Sequence, residues 1–190
     1  MDTFKSALSD FKTAQGAAPF KATSSASKTL TAQAGKDTGA AGSYNVNVNQ
    51  LATAHTLTSG VYANKDSTIV GTGSITIQTG AYNASTNTFT PTDSGGGKTI
   101  SISASNGTLS GIANAINAAG AGVKASVVSS GSGYQLSLTS SKTGTDNSIK
   151  LAVSDNDNTH GDLAGLSSFA YTPSAGPSGS NKNLTETVEG

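Results

Sequence analysis

TLSGIANAINAAGAGVKASVVSSGSGYQLSL, Thr108 to Leu138, reads as a capped helix, a tight glycine turn and a β-hairpin. Thr108 suits the N-cap, because its hydroxyl accepts a backbone N–H from the first turn. Leu109, Ile112, Ala113, Ile116 and Ala119 recur at i, i+3, i+4, i+7 and i+10, which is one face of a helix. Gly120 and Gly122 supply the stop, since glycine enters the left-handed region without a Cβ clash. Val123, Ala125 and Val127 then alternate with polar residues, and after Ser-Ser-Gly-Ser-Gly so do Tyr134, Leu136 and Leu138. This is the pattern of two half-buried strands joined by a turn. No residue in the stretch is suited to chemistry, so it points to a scaffold.

The same reasoning extends in both directions. Ile100, Ile102 and Ala104 predict a strand that leads through Asn106-Gly107 into the helix. Before it, Asp93 to Gly97 is a flexible turn, and Asn83 to Pro91 holds a hairpin about Ser85 to Asn87 with Phe89 on the return strand. Ile75 and Ile77 mark a strand preceded by Gly71 and Gly73. Tyr44, Val46 and Val48 alternate with Asn45, Asn47 and Asn49, predicting a strand with one apolar face. Phe4, Ala7, Leu8 and Phe11 predict a short amphipathic helix ended by Gly16 and Pro19. Residues 21–34 read as an extended connector or an edge strand. Downstream, Ile149, Leu151 and Val153 form a last strand, followed by a polar loop over 155–161. Leu163, Leu166, Phe169 and Tyr171 suggest a turn of helix and then a strand. Residues 173–183 are rich in Gly, Ser, Pro and Asn and read as a linker.

The expected fold class is therefore α+β: mainly antiparallel β, one short helix packed on the sheet, and a short amphipathic N-terminal helix. The expected divisions are the end of a leading helix (1–18), an extended connector (19–40), a β-rich head (41–172) and a linker or tail (173–190). The central α+β unit spans about 71–153.

Composition narrows the function. Only 34% of the 190 residues are hydrophobic and the formal net charge is zero, whereas disordered chains favour a high net charge. There is no cysteine, which removes disulfides and thiolate metal sites. All 11 basic residues are lysine, which counts against bidentate phosphate or carboxylate recognition by a guanidinium fork. Scattered lysines at near-neutral pI give no basic stripe for nucleic acid. No apolar run approaches the roughly 20 residues of a membrane helix. The opening residues lack the charged and apolar regions of a cleavable signal peptide.

Candidate sites are few. Asp155, Asp157, Thr159 and Asp162 cluster oxygen ligands, and Asp-x-Asp-x-Thr matches three positions of a calcium loop. Its sixth position is His160 instead of glycine and its twelfth is Leu166 instead of glutamate, so a solvated loop is the better reading. His55 and His160 read as polar surface histidines, with no serine elbow beside either. Ser130-Gly131-Ser132-Gly133 sits in a hairpin turn. Gly71-Thr-Gly73 and Gly95-Gly-Gly97 are too short for a phosphate cradle and read as turns. Glu186 and Glu189 lie in the expected tail, which leaves no paired-carboxylate glycosidase site. No catalytic, cofactor-binding or metal residues are assigned, and the chain reads as a non-enzyme. The polar sheet faces leave open a further role in glycan binding, with contacts on loops around Tyr82 and Asn158.

Ile102 to Gly144, ISASNGTLSGIANAINAAGAGVKASVVSSGSGYQLSLTSSKTG, is similar to the IN motif of flagellar axial proteins. Ala41 to Gly60, AGSYNVNVNQLATAHTLTSG, resembles the amino-terminal module of the flagellar filament cap family, hook-associated protein type two. Asp2 to Ala14 looks like the end of that module's leading helix. The two features occur in the family's order. The family's coiled-coil ends and carboxy-terminal half have no counterpart in the sequence, so a fragment is expected. The resemblance implies a structural, non-enzymatic role: a ring of identical subunits at the filament tip that promotes flagellin polymerisation. It implies flagellin subunits and further copies of the chain as partners, no cofactor, and export without a cleaved signal. Alternatives are another axial protein carrying the IN motif, such as a flagellin outer domain, and a surface adhesin binding host mucin or glycans. A hydrolase would need a clustered acid, base or nucleophile.

Overall fold

The computed structural model describes residues 21–34, 41–157, 162–173 and 183–188. The chain divides into two compact units, 1–49 and 50–190. In the first, a turn closes where Thr29 and Leu30 donate to the Ala26 carbonyl, at 2.9 Å each. The expected N-terminal helix lies outside the described residues. The strand expected at Tyr44–Val48 does not form: Tyr44, Val46 and Val48 are 79%, 62% and 53% exposed, with no regular secondary structure. Alternation stabilises a strand only when a neighbour covers the apolar face and pairs the backbone. Among the described residues no such neighbour lies against it.

Among its described residues the second unit holds eight strands and one helix. In chain order they are β1 (Ala54–Thr58), β2 (Gly73–Asn83), β3 (Thr88–Pro91), β4 (Lys98–Ile102), α1 (Leu109–Ala119), β5 (Val123–Ser129), β6 (Tyr134–Thr143), β7 (Ser148–Asp155) and β8 (Thr185–Val188). One sheet has the order β5-β6-β1-β8, all antiparallel. The other is built on β2, which pairs with β7 from Gly73↔Asp155 to Gly80↔Ser148 without a break. The opposite edge of β2 is taken first by β3, to Gly80↔Pro91, and then by β4, from Ile77↔Lys98. The loop 92–97 bulges out between them. Gly80 is thus flanked by strands on both sides, and a Cβ there would stand 2.2 Å from the Thr90 carbonyl oxygen.

Two sheets therefore replace the single one expected beneath the helix. β4, before α1, and the β5–β6 hairpin, after it, belong to different sheets, and α1 packs on β5, β4 and β6. Leu109, Ile112, Ala113 and Ile116 are its buried residues, as the periodicity predicts. They share one cluster with Leu57, Leu136 and Leu138 of the first sheet and with Ile75, Ile77, Ile100, Ile149 and Leu151 of the second. Fully burying an Ile or Leu side chain contributes about 1.5–3 kcal/mol.

The helix ends follow the local rules. Thr108 is extended at φ −75° and ψ 161°, and its hydroxyl accepts the Gly111 N–H at 3.1 Å. Gly120 closes the helix in the left-handed region at φ 60°, ψ 42°. In the β2–β3 hairpin, the Asn83 side chain accepts the N–H groups of Ser85 and Thr86, at 2.9 and 3.2 Å. Downstream, Gly165–Phe169 is a 3₁₀ turn and Tyr171 pairs with Leu151. β8 is a correction: Thr185–Val188, read as linker, adds to β1 through Leu57↔Glu186 and Thr58↔Thr185.

Candidate functional site

The polar groups that the fold brings together lie where the two sheets meet. His55 on β1 points inward beside Leu57 and is 2% exposed, which overturns its reading as a surface histidine. Its Nδ1 accepts the Ile149 N–H of β7 at 2.9 Å. A main-chain donor there requires an unprotonated Nδ1, so Nε2 carries the proton and donates to Glu186 Oε1 at 2.8 Å. The Tyr171 hydroxyl donates to Glu186 Oε2, also at 2.8 Å, and its ring tilts against His55 with centroids 5.7 Å apart. Glu186 is thus a partner of the core rather than a tail residue. One imidazole ties β1 to β7 of the other sheet and to β8. With both ring nitrogens engaged, it serves the fold.

The loop after β7 is anchored in a similar way. Asp155, read as part of a solvated loop, is 5% exposed, and its Oδ2 accepts the Ser167 N–H at 3.2 Å. Leu166, the would-be twelfth calcium position, is fully buried. Thr159 and His160 lie outside the described residues, as does Asn158. Among the described residues no group of three His, Cys, Asp or Glu side chains is placed to hold a metal ion. Asn183 donates to the Ser167 and Asp162 carbonyls at 2.6 and 2.9 Å and so holds the approach to β8. Tyr62 donates to Ser168 Oγ at 2.8 Å, since that hydroxyl itself donates to the Gly165 carbonyl, and stacks on Phe169 at 6.0 Å. Burial pushes the Tyr62 phenol above its ordinary value, with the Ser168 hydroxyl opposing.

At the start of α1, Asp66 lies against Ser110 and pairs with Lys65. The Lys65 hydrogen bond, then that of Ser110, holds the Asp66 carboxyl below its usual range, while the same pairing raises Lys65. An acidic group from a distant loop thereby faces the positive end of a helix whose own first turn has none. Ser130–Gly133 and Gly95–Gly97 lie in turns, as read: the Ser130 N–H donates to the Gly133 carbonyl at 2.9 Å, and Gly96 and Gly97 have φ of 80° and 92°. The Tyr82 hydroxyl donates to Asn87 Oδ1 at 2.9 Å beside the β2–β3 turn.

Sequence reasoning missed Asn117. Its amide donates to the Ala125 carbonyl at 2.8 Å and accepts the Ala125 N–H at 2.9 Å, joining α1 to β5. The available signal was weak: Asn117 is one of two amides on the helix, with Asn114, and it lies beside the apolar face rather than on it.

Residues 1–55 match the family described as flagellar hook-associated protein 2 N-terminus, and residues 88–142 match the flagellin hook IN motif. Among solved structures, the chain is 35% identical to the D2–D3 domains of the flagellar cap protein FliD from Escherichia coli, with a TM-score of 0.55 over 74% of this chain and 62% of that one. The chain is similar to flagellar cap proteins. The D1–D2–D3 structure of the Escherichia coli cap protein matches at 34% identity and TM-score 0.53, over 74% of this chain and 40% of that one. FliD from Pseudomonas aeruginosa PAO1 matches at 29% and 0.52, over 74% and 56%. The chain thus spans less than two thirds of these relatives. No curated protein sequence matches it. The IN-motif stretch takes in β3, β4, α1, β5 and almost all of β6, so the motif bridges both sheets. Among the described residues no helix is long and apolar enough to cross a membrane.

Proposed function

We propose that this chain works in the cap of a bacterial flagellar filament, as a structural and non-enzymatic part that promotes flagellin polymerisation. The observation that carries this is the presence, on one chain, of the hook-associated protein 2 amino-terminal match and the IN-motif match, in that order. The packed double sheet supports a steric role, because buried polar side chains such as His55 and Asp155 are engaged with main-chain groups of neighbouring segments. Flagellin subunits and further copies of the chain are the partners of this reading, and the filament tip outside the cell is its location. Export proceeds without a cleaved signal. A ring of subunits needs heterologous contacts that close.

The test is complementation. The full-length parent gene is expressed in a strain lacking its filament cap, and filament length and flagellin in the medium are measured. Restored filaments with flagellin retained are expected. Flagellin still lost to the medium despite good export of the protein would overturn the reading and favour another axial protein or an adhesin.

A further inference from the structure

We infer that the Asn106–Gly107 dipeptide is a site of spontaneous self-modification that the fold holds shut, so that the chain converts there far faster while unfolded and then loses the corner between β4 and α1. Asn106 is the one asparagine in the sequence followed by glycine. The main-chain nitrogen of the next residue attacks an asparagine amide, and a side chain on that residue hinders the approach. Glycine presents none. Gly107 N bonds to Asn106 Cγ and loses its proton, and Nδ2 leaves as ammonia. Water then opens the five-membered imide at either carbonyl. One opening yields aspartate at position 106. The other yields isoaspartate, whose main chain runs through Cβ and is longer by one methylene.

Packing dictates the glycine. A Cβ at position 107 would stand 2.8 Å from the carbonyl oxygens of Gly71 and Ser103 and 3.0 Å from the Ile69 side chain. The Gly107 carbonyl accepts the Val70 N–H at 2.8 Å, and Ile69 bridges Thr108 beside it. Residue 107 thus joins the segment before β2 to the entry of α1. A larger residue would shield the neighbouring amide but has no room here. The labile dipeptide is a consequence of that close approach.

The folded chain restrains the other reactant. Asn106 closes the turn after β4, its N–H donating to the Ser103 carbonyl at 3.2 Å. Its Oδ1 accepts the Ser103 N–H at 2.7 Å and the Ser103 hydroxyl at 3.2 Å, and its Nδ2 donates to the Ser101 carbonyl at 3.2 Å. These partners all lie earlier in the chain, whereas the attacking nitrogen is the next one along. Turning the amide towards it breaks these bonds, while the Val70 bond holds Gly107 in place. The unfolded chain has neither restraint. Isoaspartate then puts an extra methylene where Gly107 has no slack. Aspartate sets an acceptor oxygen against the Ser101 carbonyl in place of a donor. Unmodified chains are the ones that regain the corner.

The test is a time course on the 190-residue chain, incubated folded in buffer and unfolded in urea at the same mildly alkaline pH. A synthetic peptide of residues 101–110 serves as the unfolded reference without urea. Peptide mass spectrometry localises conversion to position 106, and chromatography separates the aspartate and isoaspartate forms. A thermal melt followed by circular dichroism checks that the buffer sample is folded. Conversion in the folded chain is expected to be slower than in both references by at least about tenfold, a barrier difference of about 1.4 kcal/mol. The aged urea sample is then diluted to refold. The folded fraction, isolated by size exclusion, should be depleted of isoaspartate at position 106 relative to the starting mixture. Equal rates in the folded chain and the peptide, or an isoaspartate content in the refolded fraction that matches the mixture, overturns the inference.

Discussion

His55 illustrates how much one side chain does in a fold with few charged groups. Removing its ring leaves the Ile149 N–H without its acceptor between the sheets and takes from Glu186 of β8 its hydrogen bond to β1. An unsatisfied buried donor costs about 1–3 kcal/mol. His55→Ala should therefore lower the stability read by urea unfolding by at least that much, since packing is lost as well. An unchanged midpoint would show that the imidazole is not the tie between β1 and β7. Tyr62 gives the pH counterpart. Its phenol titrates above its ordinary value because of burial. Its contribution is full below the unfolded pKa and is lost as pH rises through the folded one. Tyr62→Phe should flatten the stability loss measured above about pH 10, at the cost of the Ser168 hydrogen bond at neutral pH.

At the scale of the element, α1 was legible because its signals are local. The cap, the 3.6-residue period and the left-handed stop all lie within one short run, and each appears where read. Thr108→Ala should cost about 1 kcal/mol, as N-cap losses do, with the helix otherwise kept. Ile116→Asp places a carboxylate at a site with no exposure and should leave the unit unfolded. A soluble, two-state Ile116→Asp variant with the parent midpoint would contradict the placement of the helix in the core. The hairpins at 84–87 and 130–133 were legible for the same reason, since turn residues choose the turn. Tyr44–Val48 has the same local quality as β5 and still forms no strand. A period describes a face and says nothing of what meets it.

For the whole second unit, what matters is where distant segments return. β8 closes one edge of the first sheet on β1 and comes from a stretch of polar residues with no alternation worth reading. Removing residues 185–188 should expose the outer edge of β1, lower the melting temperature and raise light scattering on storage, as open edges do. An equally stable and soluble shortened chain would show that β8 is ornamental. The second sheet depends on the same kind of return, with β7 coming back to β2 over eight paired positions.

The sequence by itself determined α1, its glycine stop, the two hairpins and most of the strands, and it carried the resemblance to flagellar cap proteins. Caps, glycine stops and apolar periods act over a few residues, and the IN-type run and the amino-terminal run can be recognised without knowing what they touch. It also determined the α+β class, because strand-like alternation recurs around one helix. Only the tertiary structure decided that the strands divide into two sheets, that Ala54–Thr58, read as leading into a polar loop, and Thr185–Val188, read as linker, are strands, and that His55, Asp155 and Glu186 are joints rather than surface or tail. Each of these rests on a partner far away in the chain: Ile149 and Glu186 for His55, Ser167 for Asp155, β1 for β8. A polar side chain looks the same in sequence whether water or a distant backbone group completes its hydrogen bonds, and burial follows from that choice.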